Sequence, residues 1–167
     1  MKKYLAILSA IALLGAGCST STTPPARLPQ AAANPEANCD ALMTLDEAKL
    51  VTGLAYAQRD AKAQTLGTIV VTTCTFHDGG SRSGIKPFNI LTRYASTVEE
   101  AKTIFEESKT ASYTDGQALS GLGEQALWSQ TFGQVSVLQG QTWLIVGATN
   151  NKLLATKIAQ TVAPKLR

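Results

Sequence analysis

Apolar residues follow three different rhythms along the chain. Leu5 to Leu14 is a run broken only by Ser9, large apolar residues then become scarce between 19 and 38, and from residue 39 onward short stretches of helical and strand period alternate. Thr44-Leu45-Asp46-Glu47 is a Thr-x-x-Glu capping box ahead of Ala48, Leu50 and Val51, and Gly53 supplies a stop, which predicts a helix over 44–52. The β-branched stretch 69–76 ends in His77-Asp78-Gly79-Gly80, while 87–94 places Phe88, Ile90, Thr92 and Tyr94 on one face. Two strands joined by a Gly-rich loop are expected there. Ser96-Thr97-Val98-Glu99-Glu100 opens a second helix with Val98, Ala101, Ile104 and Phe105 at helical spacing. Its Glu99, Glu100, Lys102, Glu106 and Glu107 form a solvated outer face.

Three further strands are predicted over 125–130, 134–139 and 142–148, the last two closed into a hairpin through Gly140-Gln141. Asn150 or Asn151 caps a final helix whose Leu154, Ile158 and Val162 form one stripe, with Pro164 ending it. The order is helix, two strands, helix, three strands, helix. Consecutive hairpins favour antiparallel pairing, and helices with one apolar stripe must bury it, so the predicted class is α+β. An antiparallel sheet of about five strands is expected to pack about three helices against one face. Each half ends in strands followed by a helix, which suggests a diverged duplication.

The N-terminal run has a different meaning. Met1-Lys2-Lys3-Tyr4 is a short positive start, the apolar stretch is about a dozen residues where a spanning helix needs roughly 20, and the small residues Gly15-Ala16-Gly17 precede Cys18. This is the layout of an export signal over 1–17. Leu14-Gly15-Ala16-Gly17-Cys18 resembles the lipobox of bacterial lipoproteins, with Leu14 four places before the cysteine and Gly15 where that family usually has its leucine. The resemblance implies that Cys18 receives a diacylglyceryl thioether and fatty acid such as palmitate and becomes the new N-terminus. With about 0.8 kcal/mol per buried methylene, two or three acyl chains hold a protein on a membrane effectively permanently. With Ser19 rather than Asp after the cysteine, the resemblance to sorted lipoproteins implies delivery to the outer membrane, facing the periplasm, in a Gram-negative cell; in a Gram-positive one the same signal would leave the domain on the outer face of the plasma membrane. Residues 18–38 then form the lipidated cysteine and a Ser/Thr/Pro/Ala-rich tether with a coil span of roughly 25 Å, and 39–167 the extracytoplasmic domain.

Composition narrows the classes. A chain 44% hydrophobic and 16% charged can build a packed core and is not a disordered polymer. Of 15 basic residues the expected signal removes Lys2 and Lys3 and no acid, so the net charge falls from +3 to +1. The remaining cations are scattered singly, which argues against nucleic acid. Cys39 and Cys74 are the two cysteines left to the domain, and in an oxidising compartment the expected state is a Cys39–Cys74 disulfide. Those two thiols and His77, the one histidine, do not make a four-ligand zinc site, so neither a metal nor a cofactor is expected. Cys39-x-x-Leu42, Thr44 with Glu47, Cys74-x-Phe76, and Gly121-Leu122-Gly123 before Ala126 together resemble a group of small bacterial lipoproteins of unknown function best known from actinobacteria. That resemblance implies an extracytoplasmic α+β module and no activity.

Chemistry is sparse. His77 is flanked by Asp78 with Ser81 nearby, but triad members meet by folding rather than as neighbours, and the Arg at the centre of Gly80-Ser81-Arg82-Ser83-Gly84 breaks the nucleophile-elbow pattern. Gly121 to Ala126 fits a Gly-x-Gly-x-x-Ala string, yet it leads into a strand rather than a helix, so it reads as a tight turn and not a dinucleotide site. Trp128, Phe132 and Trp143 are concentrated in the second strand group and serve either as core or as a recognition surface. The expected function is a non-enzymatic, lipid-anchored envelope module that binds an envelope protein or other component or plays a structural part. Alternatives are an immunity protein or inhibitor of a secreted hydrolase, and a hydrolase using His77.

Overall fold

A computed structural model describes residues 39–80 and 84–166. The export signal, Cys18, the tether, Ser81 and Arg167 lie outside the described residues. The chain starts with the single turn α1 (Cys39–Leu42) and helix α2 (Leu45–Thr52), whose capping box forms as expected. Glu47 N–H donates to Thr44 Oγ1 at 3.1 Å and Thr44 N–H donates to Glu47 Oε2 at 2.8 Å. Gly53 closes the helix in the left-handed region at φ 73°, where it has no Cβ to strain. The second Glu47 oxygen accepts from Lys165 Nζ at 2.7 Å, and the same ammonium donates to Leu42 O, which ties the C-terminal end of the domain to its first helices. The Lys165 bond, and then the Thr44 N–H, hold the Glu47 carboxyl below the usual carboxylate range. Thr44→Ala leaves one first-turn N–H without its side-chain acceptor and is expected to cost about 1 kcal/mol, read from chemical denaturation.

Seven strands, rather than about five, form one sheet: β1 (Gln58–Leu66), β2 (Ile69–His77), β3 (Phe88–Tyr94), β4 (Gln117–Ala118), β5 (Gln125–Ser129), β6 (Gln134–Gln139) and β7 (Thr142–Gly147). Their order is β1-β2-β3-β7-β6-β5-β4, every neighbouring pair antiparallel. Helix α3 (Val98–Ala111) links the two meanders, and α4 (Lys152–Val162) with the short 3₁₀ turn Ala163–Lys165 follows β7. Asn151, not Asn150, caps α4 by accepting from Leu154 N–H at 3.0 Å.

The two extra strands carry no apolar pattern. β1 is exposed along nearly its whole length on both faces, and β4 has two exposed residues. Hairpin geometry puts β1 in place. Leu66 pairs with Ile69 across Gly67-Thr68, and Gly67 at φ 63° supplies the positive first position that a two-residue turn needs to match strand twist. A two-pronged ion pair from Arg59 to Asp40, with a further bond to Met43 O at 3.3 Å, then fastens β1 to α1. The hairpin expected at Gly140-Gln141 is present, Gln139 pairing with Thr142.

The helices occupy both faces of the sheet, contrary to the expectation of one. On one face α1, α2 and α4 cover Cys74, Phe76, Phe88, Ile90, Val135, Val137, Leu144 and Val146. On the other, Ala101 and Phe105 of α3 pack with Leu127, Leu138, Trp143 and Ile145. The cause lies in β7, where Trp143, Leu144, Ile145 and Val146 are all buried, so alternate side chains are apolar on both faces and both need cover. Val98, assigned to the buried stripe of α3, is 42% exposed; Thr97 caps that helix and places Val98 on the rim. The strand order mirrors about the β3/β7 pair, as a duplication would give. A dyad that exchanges antiparallel neighbours keeps their faces, however, so α3 and α4 on opposite faces do not obey it.

The cystine expected between Cys39 and Cys74 is present, joining α1 to β2 with Cα atoms 5.8 Å apart and both residues fully buried. Among the described residues no helix is long and apolar enough to cross a membrane.

Candidate functional site

Helix α3 covers the β5–β7 half of its face and leaves a groove along β3 and β7. Arg93 and Trp143 are direct partners in the β3/β7 register, so their side chains leave the sheet on the same side. The guanidinium carbon of Arg93 stands 4.5 Å from the Trp143 ring centroid. This is a cation–π stack. Arg93 Nε is buried and makes no hydrogen bond, and no carboxylate among the described residues forms an ion pair with this arginine. Trp143 is held in orientation by its indole N–H, which donates to Ser136 Oγ, and by edge contacts with Phe105 and Tyr113 at 6.0 and 6.3 Å.

Tyr113 enters from the turn that ends α3, where its N–H donates to Ser108 O at 2.9 Å. Its hydroxyl donates to Gln134 Oε1 at 3.1 Å. Burial pushes the phenol above its usual range, and the nearby Arg93 charge pulls in the opposite direction. Phe132 packs edge-on against Tyr113 at 5.3 Å yet remains 48% exposed, forming the lip of the groove. The loop that carries Phe132 is fastened by Asp115, which accepts from Ser129 Oγ at 2.7 Å and from Thr131 N–H at 2.8 Å. The Thr131 N–H, and then Ser129, hold the Asp115 carboxyl below its usual range.

Two lobes make up the groove, about 320 Å³ beside Arg93 and about 260 Å³ beyond Phe132, with Asn89, Phe132 and Gln134 in the walls of both. Glycines set the shape of the second lobe. A Cβ on Gly147 would lie 2.4 Å from Asn89 Oδ1, and one on Gly133 would lie 1.8 Å from Asn150 Oδ1. Thr149 and Asn150 line it in positive-φ conformations, 45° and 60°, a costly geometry for a β-branched residue such as Thr149. Among the described residues Arg93 is the single charged side chain lining either lobe; the other polar groups are amides and hydroxyls of Asn89, Ser108, Ser112, Tyr113 and Gln134 and those of the second lobe.

Of the three aromatic residues singled out in the sequence, the structure brings two together. Trp143 forms the groove wall and Phe132 its lip, linked through Tyr113. Trp128 is 1% exposed on the opposite face of the sheet, in the core under α4. Arg93, Tyr113, Asn89 and Gln134 were not legible as a set, since they come from β3, the end of α3 and β6. The one local hint was Arg93 itself, a cation inside a strand that is otherwise apolar on alternate positions.

The His77 ring makes contacts of another kind. Its Nδ1 accepts from Gly79 N–H at 3.2 Å, which leaves Nε2 as the protonated nitrogen facing Asp60 Oδ2, also at 3.2 Å. No hydroxyl or thiol hydrogen-bonds to it among the described residues. Gly121 and Gly123 adopt positive φ in the turn ahead of β5, with Leu122 between them in the core. Among the described residues no cluster of three potential metal ligands occurs. No protein-family model, curated protein or solved structure matches the chain.

Proposed function

We propose that the chain is a lipoprotein of the cell envelope, anchored through Cys18 to the outer membrane on its periplasmic side, whose domain is a non-enzymatic module that binds an envelope component. The observation that carries the binding half of this reading is the groove on the α3 face, where Arg93, Trp143, Tyr113 and Phe132 converge. The anchoring half rests on the signal pattern ahead of Cys18, and the buried cystine is the form expected of a domain folded in an oxidising compartment. A short Pro-containing tether followed by a stapled domain suits a module that meets its ligand close to a membrane surface.

Mass spectrometry of the native product tests the anchor. A chain beginning at Cys18 with a diacylglyceryl thioether is expected, and Cys18→Ser is expected to abolish palmitate incorporation and to release the protein from the membrane fraction. An unmodified Cys18 thiol would overturn the anchoring.

A further inference from the structure

We propose that the groove on the α3 face is a binding site for a small organic carboxylate carrying an aromatic or flat apolar group, with Arg93 as its anion anchor. The proposal deepens the binding reading above and rests on it.

Three observations converge on this chemistry. A guanidinium that is stacked on Trp143, with a buried Nε, has no carboxylate partner among the described residues. Among the described residues neither lobe of the groove is lined by an acid, so Arg93 is the one charge in its walls. The planar fork of arginine matches a carboxylate by two parallel N–H···O bonds, and stacking on an indole pre-organises that fork. The rest of the wall then defines the body of the ligand. Trp143, Tyr113 and Phe132 present ring faces and edges beside the cation, which suits a flat apolar group. At about 320 and 260 Å³ the lobes match a small molecule rather than a folded partner. Past Phe132 the amides of Asn89, Gln134 and Asn150 provide donors and acceptors for a polar tail.

The two tryptophans make the test clean, because their indole N–H groups lie on opposite faces of the sheet. The purified full chain, labelled with ¹⁵N, is titrated with 1-naphthoate and with its neutral isostere 1-naphthamide while both indole signals are followed. Naphthoate is expected to shift the Trp143 signal and leave that of Trp128 in place, and to bind at least about tenfold more tightly than the amide. Arg93→Gln is expected to bring the two probes within about threefold of each other, and Arg93→Lys to keep part of the preference, because the charge remains while the fork is lost. The lysine variant also guards against a glutamine variant that fails to fold. Equal binding of acid and amide, with Phe132→Ala weakening both, would overturn the carboxylate assignment and leave the groove as a recognition site. No Trp143 shift with either probe at millimolar concentration would overturn the site together with the binding reading.

Discussion

Replacing both Cys39 and Cys74 by alanine is expected to lower the stability of the domain by about 3–4 kcal/mol, and with it the melting temperature by roughly 10–20 °C. The cross-link spans a sequence separation of 35 residues. Its loss returns that much loop-closure entropy to the unfolded chain. The effect is large because the closed loop is long, and the α2 and β1 parts of it contribute little burial of their own. Helix α2 buries one residue fully, Ala48, and β1 none. Urea denaturation of the native chain and of the double variant measures the difference, and hydrogen exchange should show the amides of β1 losing protection before those of β6 and β7. A difference under about 1 kcal/mol would show that Arg59, Asp40 and the capping box suffice to hold this segment.

Trp128→Ala is expected to destabilise by about 3–5 kcal/mol, while Phe132→Ala, four residues further along, should change stability by less than about 1 kcal/mol. Trp128 is fully enclosed in the core under α4, so truncation removes its transfer energy and leaves a cavity among Ala126, Val135 and Val137. Phe132 is about half exposed and makes one ring contact, with Tyr113, so little buried area is lost with it. The pair separates packing from recognition: the phenylalanine variant should fold as the native chain does and differ from it in what the groove retains. Equal losses of stability in the two variants would mean that Phe132 is core and the groove is closed.

How much of this was legible in the sequence depended on whether each element buries one face, both or neither. Elements with one buried stripe or a local signature were readable. The Thr44 and Glu47 box, the alternation of Phe88, Ile90 and Thr92, the Gly140-Gln141 hairpin and the Ile158–Val162 stripe all appear where the residues indicate. β1 buries neither face, and its polar run Gln58–Leu66 has no periodicity to detect; the turn at Gly67 and pairing with β2 create it. β7 buries both faces, and its continuous Trp-Leu-Ile-Val run was the available sign that helices would lie on two sides. The groove was the least legible part. Trp143 and Phe132 drew notice as aromatics, whereas Arg93 acquires its role from a register partner 50 positions away in β7, and no local pattern reports such a partner.

The position of the cystine also decides how the domain bears a pull. If Cys18 is lipidated as proposed, tension reaching Cys39 would cross through sulfur to Cys74 in β2, and the chain between them would be spared the load. Cys74 faces Ile90 across the ladder, and β3 is the strand that bears Arg93. In an anchored chain that force would reach the groove across a single strand pair, and α2 and β1 could unravel without slackening the line.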